Sequence, residues 1–271
     1  MGPLDLLRLP ETRAIGDLND PAVTQLHARI IQRKPFLRRI YQDIYRRFWS
    51  TLPAELRGGR IVELGSGGGF IKEVIPNAIT SDVLHVAGLD VCFSALDMPF
   101  ADGSLDALLM IDVLHHLPDV ARFLAEAIRC LRPSGRILMV EPANTPWGRF
   151  IYTHFHHEPF DPSAGWTLDG RGPLSSANGA LPWIVFGRDR ARFEREFPQL
   201  TVRQFSAHTP LRYLLSGGVS MRQLVPSWTY GLVRLVEACT TPLHSALGMF
   251  YFIDLERRSR LRCTPHSGEE G

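Results

Sequence analysis

The sequence has little lysine and no excess of charge of one sign. Its 271 residues carry 30 lysines and arginines against 28 acidic residues, and only Lys34 and Lys72 are lysines. A nucleic-acid-binding protein would show a strongly basic face or tail, so we expect no nucleic-acid partner. With 45% hydrophobic and 21% charged residues, the composition is that of an ordinary globular protein.

Cysteine is also scarce, and its spacing excludes two kinds of protein. The four cysteines are scattered and form no Cys-x-x-Cys pair: Cys92, Cys130, Cys239 and Cys263. This pattern argues against a disulfide framework and against a zinc site, and it predicts reduced thiols in a cytoplasmic protein. The first residues lack a basic start followed by an apolar core, so we expect no signal peptide.

Long apolar runs are missing as well. The most apolar late stretch, residues 238–253, contains Pro242 and His244 and falls short of the roughly 18 apolar residues that span a bilayer. We therefore predict no transmembrane helix. The apolar residues of 208–256 fit an apolar acceptor or a peripheral membrane contact, and a buried helix explains them equally well.

The hydrophobic periodicity predicts an α/β protein. Residues 21–50 have helical spacing, with Pro35 as a point of division. Strands are predicted at 61–64, 77–80, 85–91, 105–112, 135–141, 200–207 and 248–258, and helices at 69–75, 119–133, 189–197 and 227–240. This alternation is typical of βαβ units and a parallel sheet. Residues 142–183, rich in Pro, Gly, Ser, Trp and His, are predicted to be an insert that folds over a site.

The stretch "RIVELGSGGGF" (60–70) joins an apolar strand to three consecutive glycines. A glycine-rich turn at this place allows the backbone to approach a nucleotide. The dinucleotide fingerprint needs a third glycine where Phe70 stands. The sequence also lacks the Tyr-x-x-x-Lys pair of short-chain dehydrogenases and the Gly-Lys-Ser/Thr of a P-loop.

The segment "ELGSGGG" (63–69) resembles motif I of the class I methyltransferases that use S-adenosylmethionine. Three further blocks follow in the family's order: "DMPFADGSLD" (97–106), "DVLHHLPD" (112–119) and "FLAEAIRCLRPSGRILMVEP" (123–142). Together they are similar to the methyltransferase-11 group, which includes ubiquinone and menaquinone biosynthesis methyltransferases. The resemblance covers residues 58–142.

This resemblance implies a Rossmann-like sheet of seven strands, mostly parallel with an antiparallel last strand, and helical and loop additions around its carboxyl edge. We expect an N-terminal helical cap at 1–57, a cofactor-binding core at 58–142 and an insert at 143–187 that caps the acceptor site. The remainder of the fold, with a helical insert, would occupy 188–257, and 258–271 would be a disordered tail.

The resemblance also implies S-adenosyl-L-methionine as cofactor and a set of residues that bind it: Glu63, Gly65, Ser66, Gly67, Gly69, Asp82, Ser94, Ala95 and Asp112. Glu63 would support the methionine end, and Asp82 would accept both ribose hydroxyls, with a plain turn aspartate as the structural alternative. Asp90 is a weaker ribose candidate. Ser94-Ala95 stands where the family often has Asp-Ala beside the adenine.

Histidines are the candidate catalytic groups, since a hydroxyl acceptor is helped by a general base. We predict this role for His115, His116 and His157, although the pair at 115–116 could equally pack and hydrogen-bond near its turn. The cluster His154, His156, His157 and Glu158 fits a structural loop, an acceptor site or a metal site, and we expect no metal.

These observations predict an S-adenosylmethionine-dependent methyltransferase acting on a small-molecule or lipid-like acceptor, by O- or C-methylation rather than N-methylation. Two alternatives use the same fold: an aminopropyl-type transferase and a non-catalytic module that binds the cofactor. The motifs leave the acceptor and the oligomeric state undetermined.

Overall fold

A computed structural model of the chain describes residues 7–13, 19–156, 158–170, 172 and 176–259. Seven strands form one sheet: β1 (Ile61–Leu64), β2 (Ala78–Asp82), β3 (Val91–Cys92), β4 (Leu105–Ile111), β5 (Leu131–Pro142), β6 (Leu200–His208) and β7 (Phe250–Arg257). Their order is β3-β2-β1-β4-β5-β7-β6. Strand β7 runs antiparallel to both β5 and β6, and the other pairs are parallel. The predicted fold class is confirmed.

Ten helices accompany these strands in the described parts of the chain: α1 (Pro21–Arg33), α2 (Pro35–Thr51), α3 (Ala54–Arg57), α4 (Val120–Cys130), α5 (Pro146–Phe155), α6 (Leu181–Trp183), α7 (Arg190–Glu196), α8 (Arg212–Ser216), α9 (Tyr230–Cys239) and α10 (His244–Leu247). The division of the first helical stretch at Pro35 is confirmed, because proline begins α2 after an extended Lys34. The helices predicted at 119–133, 189–197 and 227–240 are also present.

Each face of the sheet is covered by helices. Helix α4 starts at Asp119, whose side chain accepts the N–H of Arg122, and it buries Phe123 and Leu124 on one face. Helix α2 buries Phe36 and Phe48 on the opposite face. The N-terminal segment therefore covers a face of the sheet.

Two predicted elements differ from the structure. The helix expected at 69–75 is only a 3-10 turn, Ile71–Glu73, since three glycines precede it and Pro76 follows it. The strand expected at 85–91 shrinks to β3, because Gly88 (φ +92°) bends the chain before it. Both losses shorten the connections beside β2, and α2 supplies the packing that a longer crossover helix would give.

The predicted tail at 258–271 lies outside the described residues from position 260 onward. Among the helices that the structure describes, none is long and apolar enough to cross a bilayer. This agrees with the sequence prediction for 238–253, which is divided between α9, α10 and β7.

Candidate active site

The glycine-rich loop makes a tight turn at the carboxyl end of β1. Gly65 (φ +63°) and Gly67 (φ +42°) take left-handed conformations that side chains disfavour. A Cβ on Gly65 would lie 2.5 Å from Val113 Cγ2, so the loop sits directly against the segment that follows β4. The N–H of Gly69 closes the turn on the carbonyl of Ser66 at 2.6 Å. The loop thus brings its backbone to the sheet edge where α/β proteins bind ligands.

The N-terminal helices lie on this loop. A Cβ on Gly68 would stand 2.6 Å from the backbone nitrogen of Ala28 in α1, and one on Gly69 would stand 2.5 Å from the hydroxyl of Tyr45 in α2. The middle glycines are therefore required by close helix packing. The motif alone does not reveal these two contacts, because Ala28 and Tyr45 lie far upstream of the loop in two other elements.

Glu63 is a buried acid beside the loop. It is 2% exposed in the middle of β1, and its Oε2 has no hydrogen-bond partner among the residues that the structure describes. Burial raises the pKa of Glu63 to about 7, even though the nearby hydroxyls of Ser66 and Tyr45 lower it. A buried carboxylate oxygen without a donor is costly in the free protein, so this position favours a cationic or donor group of a ligand.

Asp82 ends β2 and is tied to the glycine loop. Its Oδ2 accepts the N–H of Gly67 at 3.1 Å, and its Oδ1 accepts the N–H of Leu84 at 3.0 Å. The bond to Leu84 is the one expected of a turn aspartate, whereas the bond to Gly67 places the carboxylate at the glycine loop. Burial raises the pKa of Asp82. Each carboxylate oxygen has capacity for a further donor, as ribose hydroxyls require.

The residues after β3 make local contacts. Ser94 Oγ accepts the N–H of Leu96 at 3.2 Å, and the Ser94 carbonyl accepts the N–H of Asp97 at 2.9 Å. The predicted adenine contacts at Ser94 and Ala95 therefore depend on a short turn that stabilises itself. Asp90 instead binds Lys72 at 2.6 Å and the Thr80 N–H at 2.8 Å, so its carboxylate is used to hold β2.

Asp112 is the first residue after β4 and has a left-handed backbone (φ +55°), which is uncommon away from glycine. Its Oδ1 is buried without a hydrogen-bond partner. Burial raises the pKa of Asp112 to about 7. The residue borders a small cavity that is lined mostly by aliphatic and aromatic side chains, among them Tyr41 and Phe250, together with His208 and Thr209.

The histidine pair follows in the 3-10 turn Leu114–His116. His115 Nδ1 lies 2.7 Å from Oε2 of Glu141, an acid that is fully buried near the end of β5. Oε1 of Glu141 accepts the N–H groups of Val113 and Leu114 at 2.9 and 2.7 Å. Burial lowers the pKa of His115, but the carboxylates of Glu141 and Glu158 overcome this effect and raise it to about 10.

The second histidine is held by the insert. His116 Nδ1 lies 3.2 Å from the carbonyl of Ser176, and its Nε2 lies 3.7 Å from Oε1 of Glu158. The His115 ring contacts the same acid, since its Nε2 lies 3.4 Å from Oε2 of Glu158. Burial and the charge of His115 lower the pKa of His116 to about 4. His157, the third catalytic candidate, lies outside the described residues.

The insert also packs on the segment after β4. Trp166 is buried in the main core, stacks on Phe197 and donates to Asp189 at 2.9 Å. Its carbonyl accepts the N–H of Val120 at the start of α4. Trp166 therefore belongs to the hydrophobic core. Trp147, in α5, instead donates to the carbonyl of Pro210 at 3.2 Å.

Sequence reasoning missed three residues of this region. Glu141 carries one visible signal, since it is a charged residue that directly follows the apolar run 137–140 near the end of β5. Tyr45 and Ser176 reach the site from distant segments, and their sequence neighbourhood does not distinguish them from ordinary helix and loop residues.

Comparison with known proteins shows which family this region matches. Residues 62–139 match a family model described as a methyltransferase domain, Methyltransf_11. The resemblance to class I methyltransferases of this group is thereby confirmed for the matched segment.

The chain is similar to two curated methyltransferases and to one solved methyltransferase structure. The chain is 34% identical over 110 residues to phthiotriol/phenolphthiotriol dimycocerosates methyltransferase 1 of Mycobacterium ulcerans, covering 33% of this chain and 41% of the relative. It is 28% identical over 132 residues to demethylmenaquinone methyltransferase of Thermobifida fusca, covering 48% and 46%. Geranyl diphosphate C-methyltransferase of Streptomyces coelicolor has 14% identity and a TM-score of 0.46, covering 82% of this chain and 81% of that one. The chain spans less than half the length of both curated relatives.

Proposed function

We propose that this protein is an S-adenosylmethionine-dependent methyltransferase. One observation carries the proposal: Glu63 in β1 and Asp112, the first residue after the neighbouring strand β4, each have a buried carboxylate oxygen without a partner among the described residues. A cationic ligand with additional donors would satisfy both oxygens. The cofactor supplies a methyl group on a sulfonium and carries its own leaving group.

The residues proposed to hold the cofactor divide into five groups. The backbone of Gly65, Ser66, Gly67 and Gly69 would approach its amino-acid and ribose portions, and Glu63 would support the ammonium end. Asp82 would accept the ribose hydroxyls, and Ser94 with Ala95 would border the adenine. Asp112 would face the reacting end, because it lies between the glycine loop and the histidine turn.

The proposed acceptor is a small or lipid-like molecule. The relatives named above act, by their names, on dimycocerosate lipids and on demethylmenaquinone. His115 and His116 stay the proposed catalytic groups, with His157 a prediction from sequence, and O- or C-methylation is proposed over N-methylation.

A peripheral membrane contact fits such an acceptor. Trp228 is 79% exposed, and Leu232 and Leu235, which follow it in α9, are 60% and 61% exposed. The guanidinium of Arg39 lies beside this surface, 3.2 Å from the Ser227 carbonyl. An apolar ridge with basic neighbours binds anionic lipid surfaces. The proposed location is the cytoplasm, as the scattered cysteines predict.

The test is methyl transfer from labelled S-adenosylmethionine to fractionated lipid and metabolite extracts. The proposal expects label in one acceptor class, and transfer that falls when Asp82 is replaced by Ala. Tight cofactor binding without transfer to any fraction would favour the non-catalytic module instead. In parallel, vesicles with 30% anionic lipid should sediment the wild type but not Trp228→Ser, with Phe150→Ser, also exposed, as the matched control.

A further inference from the structure

The histidine turn and the insert bring three metal-binding side chains to one place. Nitrogen and oxygen atoms of His115, His116 and Glu158 all lie within 4.8 Å of one another. The two imidazole rings lie side by side with centroids 4.2 Å apart. His115 is buried and His116 is only 13% exposed, so the group is shielded from bulk water.

Hydrogen bonds to the Nδ1 atoms determine the tautomer of each ring. His115 Nδ1 is 2.7 Å from the Glu141 carboxylate, and His116 Nδ1 is 3.2 Å from the Ser176 carbonyl. Carbonyl and carboxylate oxygens accept hydrogen bonds, so both Nδ1 atoms donate. His116 is neutral, so it carries its lone pair on Nε2, whereas His115 holds a proton on Nε2 that a metal ion would have to displace. A carboxylate or carbonyl behind the distal nitrogen is the arrangement that orients histidine ligands in metal sites.

The Nε2 atoms of both rings face the same carboxylate. His115 Nε2 is 3.4 Å from Oε2 of Glu158, and His116 Nε2 is 3.7 Å from Oε1. Nitrogen lone pairs facing carboxylate oxygens repel unless a cation lies between them. One proton on His115 would relieve only one of the two contacts and leave the His116 contact unrelieved. A divalent ion relieves both.

We propose that His115, His116 and Glu158 bind a divalent transition-metal ion. Zinc–ligand bonds of about 2.0–2.1 Å place tetrahedral ligand atoms roughly 3.4 Å apart, close to the two separations observed. Two imidazoles and one carboxylate favour Zn²⁺, Fe²⁺ or Co²⁺ over Mg²⁺ and Ca²⁺, which prefer oxygen ligands. Nδ1 of His156, also 3.7 Å from Glu158, already accepts the Glu158 N–H at 3.3 Å and is not assigned as a ligand.

Three protein ligands leave a coordination position open. In the context of the proposed function, on which this role rests, the ion would bind an oxygen of the acceptor and ease loss of its proton. The site differs from the sequence-based expectation of no metal, because that expectation considered residues 154–158 alone. The histidines at 115 and 116 come from a segment about forty residues away.

The test is metal binding by the chelator-treated full chain, independent of activity. Co²⁺ titration followed by visible absorption, and Zn²⁺ titration by calorimetry, should each show one ion per chain. Glu158→Gln and His116→Gln should each weaken binding at least tenfold. His154→Gln, an exposed histidine in the same segment, should bind as the wild type does. Unchanged thermal melting of the metal-free variants would show that they are folded.

Absence of saturable Zn²⁺ and Co²⁺ binding in the folded wild type would overturn the proposal. Equal affinities of Glu158→Gln, His116→Gln and His154→Gln would overturn it too. S-adenosylmethionine titration on the same samples separates this result from the proposed function. Cofactor binding without metal binding would remove the metal site alone, and metal binding without cofactor binding would remove the methyltransferase assignment alone.

Discussion

The two halves of the carboxyl edge of the sheet differ in whether the carboxylate oxygens of their acids have hydrogen-bond partners. On the glycine half, at β1 and β4, Glu63 and Asp112 each keep an oxygen without a protein donor. On the histidine half, Glu141 accepts two backbone N–H groups and faces the His115 ring, so both of its oxygens are engaged.

This difference distinguishes a binding surface from its scaffold. An acid whose oxygens all accept hydrogen bonds stabilises the fold and orients its neighbours. A buried acid with an unpaired oxygen destabilises the ligand-free protein, and a ligand that donates to this oxygen removes the cost. We therefore expect substitutions on the histidine half to lower stability most, and substitutions on the glycine half to lower cofactor affinity most.

The largest effect is expected for Glu141→Ala. The change leaves two buried N–H groups without an acceptor and removes the partner of His115, so it should lower the free energy of unfolding by about 3–5 kcal/mol. Urea unfolding measures this loss. Glu194→Ala, in an exposed pair with Arg190, is the matched control and should cost no more than about 0.5 kcal/mol. Similar losses for both variants would contradict the scaffold role.

The next largest effect is a pH dependence of the free energy of unfolding that is caused by Glu63. Its pKa is about 7 in the folded protein and near 4.5 in the unfolded chain, so the folded state holds more protons between these values. Stability is therefore highest at low pH and is lost as pH rises through about 7, by up to about 3 kcal/mol. Subtracting the urea-unfolding free energies of Glu63→Gln from those of the wild type isolates this group. A difference that stays constant from pH 4.5 to 8 would contradict the assignment.

The same variant tests the binding role. Glu63→Gln removes a charge that would face the cationic end of S-adenosylmethionine, so affinity should fall roughly 10- to 100-fold. At pH 8 the free variant should be at least as stable as the wild type, because the buried charge is gone. Calorimetric titration gives the affinity. Lost stability with unchanged affinity would reverse the expected pattern and would place Glu63 in the scaffold.

The smallest effect concerns the packing of the glycine loop. In Gly68→Ala the new methyl would collide with the Ala28 backbone, so stability should fall on the order of 1 kcal/mol as α1 moves. Gly231→Ala places its methyl in open space on α9 and should leave stability unchanged or slightly raised. Equal results for both variants would mean that α1 does not pack on the loop as described.

The core between β1 and β5 could be predicted well from sequence, because its strands are apolar runs and its motifs are local. Asp82 falls at the end of β2, as the motif spacing indicated. The prediction failed where propensity was weak, as at 69–75, where glycines and Pro76 leave room only for a 3-10 turn.

The contacts between distant segments could not be predicted. Tyr45 reaches Gly69 from α2, and Glu158 reaches the histidine turn from the insert. Each of these contacts depends on how separate elements pack, and periodicity reports only which face of an element is apolar. The histidine pair itself was identified from sequence, whereas Glu141, which orients it, was not.

The central claim is that the glycine half binds S-adenosylmethionine, and one titration tests it most directly. The full-length wild type and Asp82→Ala are titrated with the cofactor by calorimetry at pH 7.5. The account predicts one site per wild-type chain and at least tenfold weaker binding by Asp82→Ala, since two ribose hydroxyls lose their acceptor. A folded wild type that gives no saturable heat, or a variant that binds as tightly as the wild type, would contradict it.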